Sequence, residues 1–124
     1  MAYAAVTKDT VQRSIRTFYE AVKLSNKEKA MEKWALVFPG QGSQYVGMGA
    51  DLFKEFDAFR GVFSQAQDIT GMDIARICLE GPQDVLDQTV HTQLAVLTFE
   101  LAAYEIFKGH IGGSAPTVAA GHSL

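Results

Sequence analysis

The sequence carries the residue types of a serine nucleophile in a sharp turn at Gly121-His122-Ser123-Leu124, directly after the short apolar run 117–120. Gly-x-Ser after a buried strand begins the nucleophile elbow G-x-S-x-G, in which the serine hydroxyl projects from the end of a sheet. Free N–H groups at the start of the following helix stabilise an oxyanion there. The pattern predicts Ser123 as the nucleophile and the Leu124 N–H as an oxyanion donor. By itself the tetrapeptide favours an ordinary turn, because Gly-x-Ser is a common tripeptide.

A second glycine-containing turn, Phe38-Pro39-Gly40-Gln41-Gly42-Ser43-Gln44, follows the apolar run 34–38. Glycine on both sides of Gln41 allows the backbone to come close to a ligand. A nucleotide-binding loop is excluded, because G-x-G-x-x-G would need glycine where Tyr45 stands and no Gly-Lys-Ser/Thr follows. A strand-to-helix turn that uses Gly and Pro only as chain breakers is the alternative.

Taken together, F-P-G-Q-G-S-Q at 38–44 and G-H-S-L at 121–124 resemble the malonyl-CoA:acyl-carrier-protein transacylase family. This family includes the acyltransferases of fatty-acid and polyketide synthesis. T-Q-L-A-V-L at 92–97 resembles the family's T-Q-P-A-x-x helix start, with Leu94 in place of the proline. The resemblance covers residues 34–124 and stops inside the nucleophile elbow.

The resemblance implies a role for five residues. Ser123 is the acylated serine, the backbone N–H groups of Gln41 and Leu124 form the oxyanion hole, and Gln93 and His122 line the substrate-binding cleft. The implied reaction is a ping-pong transfer of a malonyl group from coenzyme A, through a seryl ester, to the phosphopantetheine thiol of acyl carrier protein.

The same resemblance sets the expected ligands and partners. Coenzyme A enters as the thioester substrate malonyl-CoA, and no permanently bound cofactor and no metal are expected. The expected partners are acyl carrier protein and the remainder of the acyltransferase domain, with no nucleic acid and no membrane. The family's general-base histidine and its carboxylate-binding arginine are expected outside this chain, so the 124 residues alone are predicted to be inactive.

Three alternatives stay open. A serine esterase or thioesterase of α/β-hydrolase type would share only the elbow, and the loop around Gln41 argues against it because such esterases use other oxyanion loops. The second alternative is a non-catalytic short form that acts as a binding piece. The third is a two-piece enzyme in which another chain supplies the rest of the domain.

The elements that must position these residues follow from hydrophobic spacing. The runs 34–38 and 117–120 predict two short, fully buried strands. Apolar residues three and four apart predict helices between them: one from Leu52 to Phe63 with a break near Asp57, then 73–79, 83–88 and 92–108. The order strand, helices, strand favours a parallel α/β sheet. We therefore predict the start of an α/β-hydrolase-like acyltransferase core that is mostly helical in this portion.

The longest predicted helix, 92–108, has apolar residues on more than one face. We expect it to be buried on several sides through two sets of large side chains: Leu94, Leu97, Leu101 and Tyr104 on one face, and Val96, Phe99, Ala103 and Ile106 on the next.

Charge divides the chain into two segments. Residues 1–33 have net charge +3 and an apolar stripe at Val11, Ile15, Phe18 and Val22, whereas 34–124 has net charge −6. We predict a helical extension and linker over 1–33, and an incomplete N-terminal part of the acyltransferase core over 34–124.

Composition fits a soluble globular protein, with 48% hydrophobic and 20% charged residues. There is no uninterrupted apolar run of about 18 residues, the length that a membrane span needs. Cys78 is the only cysteine, which excludes an intrachain disulfide. Because no secretory signal pattern is visible either, a cytoplasmic location is predicted.

Overall fold

A computed structural model describes residues 34–111 and 115–122. The helical extension predicted over 1–33, and both Ser123 and Leu124, lie outside the described residues. Within the described ranges two strands flank five helices: β1 Ala35–Phe38, α1 Ala50–Glu55, α2 Asp57–Thr70, α3 Ile74–Glu80, α4 Gln83–Leu86, α5 Thr89–His110 and β2 Val118–Gly121.

The two strands pair in parallel, in a register that sets Ala35 opposite Val118 and Phe38 opposite Gly121. The structure therefore confirms a mostly helical α/β arrangement with a small parallel sheet. The prediction that both strands are fully buried is wrong for the described residues, because Val37 is 69% exposed and Val118 is 54% exposed. A sheet of two strands has little of its surface covered when the helices pack mainly on one another.

The core lies between the helices rather than on the sheet. α2 makes its most extensive helix contact with α5, and phenylalanine rings fill the space next to them. Phe59 is fully buried and forms edge-to-face contacts with Phe53 and Phe99, while Phe53 makes another with Phe63. Aromatic edge-to-face pairs stabilise a core beyond the apolar area that they bury.

Helix α5 differs from its prediction in its start and in part of its buried surface, since Ile106 is buried as predicted and Leu94, Phe99 and Ala103 are partly buried against the core. It begins at Thr89, one turn before the predicted start at Thr92, and the buried Thr92 hydroxyl donates a hydrogen bond to the Leu86 carbonyl oxygen at 2.6 Å. The large side chains of Leu97 and Leu101 are 53% and 45% exposed. The residues that are buried are mostly small: Thr92, Ala95, Thr98, Ala102 and Ile106. Small side chains allow close approach of neighbouring helices, so this stripe faces the core.

Helix ends follow local backbone and capping preferences. The predicted break near Asp57 is confirmed: Phe56, whose extended backbone interrupts the helix, separates α1 from α2, and Asp57 is the first residue of α2. Asp73 caps α3 by accepting a hydrogen bond from the Arg76 N–H at 3.0 Å.

None of the helices in the described ranges combines the length and the apolar character needed to cross a membrane.

Candidate functional site

The parallel pairing brings the segments that follow both strands to one edge of the sheet. Phe38 ends β1 opposite Gly121, the end of β2, and the His122 N–H donates to the Phe38 carbonyl oxygen at 3.1 Å. The loop that contains Gln41 therefore leaves the sheet beside the segment that leads into Ser123. In open α/β sheets, ligands bind at this carboxyl edge.

Gly40 packs directly against the second of these segments. A Cβ atom at position 40 would lie 2.1 Å from the His122 carbonyl oxygen and 3.0 Å from His122 Nδ1. Such distances are far inside van der Waals contact, so no other residue fits without moving one of the two segments. From the sequence we predicted that glycine at this position lets the backbone approach a ligand. In the structure, the absence of a side chain at Gly40 lets the loop approach the segment that contains His122.

Gln41 presents its backbone at this edge. No described residue accepts a hydrogen bond from its N–H, and its exposed side chain makes a long contact from Nε2 to Thr89 Oγ1 at 3.5 Å. An N–H group in this state is available to a ligand oxygen. The geometry is consistent with the predicted role of Gln41 as a backbone donor.

The turn that contains Gln41 is held by hydrogen bonds on both sides. Ser43 donates to the Gly40 carbonyl oxygen from its hydroxyl at 2.8 Å and from its N–H at 3.3 Å. The Gly42 N–H donates to Gln44 Oε1 at 2.8 Å. Gly42 has a φ of +104°, which side chains on an L residue rarely allow.

Further along, the same loop is attached to α3 and α4. The Gly47 N–H donates to the Cys78 carbonyl oxygen at 2.7 Å, and the Val46 N–H donates to Gln83 Oε1 at 3.0 Å. Gln44 Nε2 donates to Asp87 Oδ1 at 2.8 Å. Sequence reasoning missed the contribution of Gln83 and Asp87, since no motif surrounds them.

Gln93 lies on the face of α5 that approaches the loop. Thr89, which contacts Gln41, is one helical turn before Gln93 on the same face. The Gln93 side chain is exposed. The structure thus brings α5, near Gln93, to the same edge as Gln41, although no hydrogen bond joins these two described residues.

The histidines divide into two groups. His91 Nδ1 lies 2.9 Å from the Val85 carbonyl oxygen, and His110 Nδ1 lies 2.8 Å from the Ile106 carbonyl oxygen, so both rings contact backbone carbonyls near the ends of α5. His122 is exposed beside Gly40 at the site itself.

Burial raises the pKa of three side chains, and one of them, Tyr45, belongs to the segment that follows Gln44. Burial raises the pKa of the Cys78 thiol to about 12, which keeps it protonated and excludes it as a nucleophile. Burial also raises the pKa of the Glu100 carboxyl, to about 7. Among the described residues, no three His, Cys, Asp or Glu side chains are grouped so that they could hold a metal ion.

Residues 35–124 match the family described as acyl transferase domain. The chain is 45% identical over 94 residues to the malonyl CoA-acyl carrier protein transacylase of Haemophilus influenzae. The aligned region covers 76% of this chain and 30% of that protein. The chain spans between 23% and 30% of the length of the curated relatives that it matches first.

Solved structures of similar sequence have the same fold over this region. The malonyl CoA-acyl carrier protein transacylase of Coxiella burnetii superposes with a TM-score of 0.71 at 39% identity, over 78% of this chain and 30% of that chain. A malonyl-transacylase solved in complex with its type II PKS acyl-carrier protein superposes with a TM-score of 0.68 at 40% identity, over 73% and 29%.

Proposed function

This chain belongs to the acyl transferase domain family, and from that premise we propose that it forms the N-terminal part of an enzyme that transfers malonyl groups from coenzyme A to acyl carrier protein. The observation that carries the proposal is the contact of Gly40 with His122. This contact brings the Gln41 N–H, which no described residue accepts, beside the segment that continues into Ser123. The relatives' names supply the acyl group and the acceptor.

In the proposed reaction, the Ser123 hydroxyl oxygen attacks the thioester carbonyl carbon of malonyl-CoA. The carbonyl oxygen becomes an oxyanion that accepts hydrogen bonds from the Gln41 and Leu124 N–H groups. The C–S bond then breaks, coenzyme A leaves as its thiol, and a malonyl ester remains on Ser123. Attack by the carrier protein's phosphopantetheine thiol on this ester reverses the sequence and restores the serine.

The base that removes the Ser123 proton is not found among the described residues near the loop. His91 is engaged with a backbone carbonyl. His122 directly precedes the serine, and neighbouring side chains at a sharp elbow point apart. We assign His122 and Gln93 to the walls of the substrate cleft, and place the base and the carboxylate-binding arginine in the remainder of the domain.

For the fold we propose the finer description of an α/β-hydrolase-like core over 34–124, preceded by an extension over 1–33. Further elements of such a core would cover the apolar side chains that the described residues leave exposed, including Val37, Val118 and Leu97. The cytoplasmic location stays a prediction, which fractionation of the source cells tests.

The test uses an active acyltransferase that contains this sequence, incubated with isotopically labelled malonyl-CoA. We expect a covalent malonyl adduct on Ser123 in the peptide mass spectrum, and transfer of the label to holo acyl carrier protein. Ser123→Ala should abolish the adduct, while Ser64→Ala, on an exposed position of α2, should leave it unchanged. Labelling that survives Ser123→Ala would overturn the nucleophile. Release of free malonate without transfer would favour the esterase.

A further inference from the structure

One carboxylate oxygen organises two glutamine side chains next to the Gln41 loop. Asp87 Oδ1 accepts hydrogen bonds from Gln44 Nε2 and from Gln83 Nε2, each at 2.8 Å. Because a carboxylate only accepts hydrogen bonds, it selects the donor end of each amide. Both amides are therefore held with their nitrogen toward Asp87.

The other end of each amide then meets the loop. Gln44 Oε1 accepts from the Gly42 N–H at 2.8 Å, and Gln83 Oε1 accepts from the Val46 N–H at 3.0 Å. Reversing either amide would set an NH₂ group against a backbone N–H and lose both of its hydrogen bonds. A single carboxylate oxygen thus fixes the loop backbone at two points through two side chains.

The Gly42 attachment bears directly on the proposed oxyanion donor. The Gln41 and Gly42 N–H groups belong to consecutive peptide planes, which are separated only by the two soft dihedral angles of Gln41. On the preceding side, Gly40 is fixed by His122 and by the bonds from Ser43. Gly42 has a conformationally flexible backbone, and its N–H is held by the hydrogen bond to the Gln44 side chain.

We propose that Asp87 is a positioning residue for acyl transfer: through Gln44 and Gln83 it holds the loop backbone so that the Gln41 N–H points at the developing oxyanion. This inference rests on the proposed function, while its structural half does not. Asp87 takes no part in bond making. Hydrogen bonds to a charged acceptor are roughly twice as strong as those between neutral groups, which suits this carboxylate to the task even on an exposed surface.

The first experiment needs no enzymatic activity. Amide hydrogen exchange is measured at Gly42 and Val46 in this chain and in its variants. Asp87→Ala should raise exchange at both amides about tenfold, because each glutamine loses the partner that orients it. Asp87→Asn should stay within about twofold of the parent, because the asparagine oxygen still accepts. Asp84→Ala is the matched control, since it removes an exposed acid from α4 that has no described hydrogen-bond partner.

The second experiment uses an active acyltransferase that contains this sequence. Asp87→Ala should lower kcat for serine acylation about tenfold and leave KM for malonyl-CoA within about twofold, since an oxyanion contact forms in the transition state. Asp87→Asn should restore most of the rate. Gln41→Pro, which removes the donor N–H itself, sets the largest expected loss at roughly 100- to 1,000-fold.

Should Asp87→Ala fail to fold, as judged by circular dichroism, Gln44→Leu replaces it. That variant removes only the Gly42 attachment, so exchange should rise at Gly42 and not at Val46. Unchanged exchange in the folded variants, or faster exchange with an unchanged kcat, would overturn the positioning role. Failure of the proposed function is recognised separately, by an acyl adduct that persists in Ser123→Ala.

Discussion

Gly40 and Gln41 contribute backbone geometry to the candidate site rather than side-chain chemistry. Gly40 allows two neighbouring segments to touch, and Gln41 offers an N–H that no described residue accepts. A backbone donor cannot be recognised from the residue type at its own position. It becomes recognisable from the glycines around it, because they report where the chain must turn or approach closely.

Gly40→Ala should separate the loop from His122. The added methyl would lie 2.1 Å from the His122 carbonyl oxygen, so either the loop or the segment that contains His122 would have to shift. We expect the free energy of unfolding to fall by about 1–3 kcal/mol, as for other overpacked sites. Urea unfolding of the chain measures this loss, and the acylation rate of an active acyltransferase should fall with it.

Gly61→Ala is the matched control for that substitution. Gly61 lies within α2 with nothing near its would-be Cβ, so alanine should stabilise the helix by about 0.5–1 kcal/mol. If the two variants shifted the unfolding midpoint in the same direction, the contact between Gly40 and His122 would not hold the site together.

At the scale of elements, the junction between α4 and α5 sets where α5 begins. The Thr92 hydroxyl satisfies the Leu86 carbonyl at the last residue of α4, and His91 Nδ1 lies within hydrogen-bond distance of the Val85 carbonyl oxygen. This junction places Thr89 against Gln41 and presents the Gln93 face of α5 to the loop. Substitutions at this junction should therefore also change the position of Thr89 relative to Gln41.

Thr92→Val keeps the shape of the side chain and removes the hydroxyl. The buried Leu86 carbonyl would then lose its donor, which costs about 1–3 kcal/mol for a buried polar group. We expect urea unfolding to show a loss of that size. Thr117→Val, at an exposed position before β2, is the control and should change stability by less than about 0.5 kcal/mol. Equal effects of the two substitutions would contradict the assigned role of the Thr92 hydroxyl.

At the level of the whole molecule, the described helices enclose an apolar core, while apolar side chains of the two strands, Val37 and Val118, remain exposed. Glu100, on α5, is half-buried, and its Oε1 is buried with no hydrogen-bond partner among the described residues. Burial disfavours the charged carboxylate and raises the pKa of Glu100 to about 7. The folded state therefore binds a proton that the unfolded chain releases at lower pH.

The pH dependence of stability follows from the direction of that shift. The contribution of Glu100 is fully present below the ordinary pKa of a glutamic acid and is lost as the pH rises through about 7. Between about pH 5 and about pH 8 the chain should lose stability. Glu100→Gln should flatten this dependence and should be more stable than the parent at the upper end. Thermal unfolding across the range measures both.

Glu80→Gln is the control for the pH experiment. Glu80 is exposed at the end of α3, so its replacement should leave the slope of stability against pH as it is in the parent. An identical slope in the parent and in Glu100→Gln would show that the buried carboxyl does not govern this dependence.

Local sequence patterns are enough to predict the positions of both strands to within a residue, the succession of helices and the family. Short apolar runs, helical spacing and glycine-containing turns are local features, and the heptapeptide at 38–44 is specific. The remaining features depend on how distant parts of the chain pack together. Which face of α5 is buried depends on what packs against it, so the small residues at Ala95 and Ala102 are covered and Leu97 is not. The parallel register sets Gly40 against His122, and Asp87 reaches Gln44 across the fold. Such contacts join residues that are far apart in the chain, so they cannot be predicted from local sequence patterns.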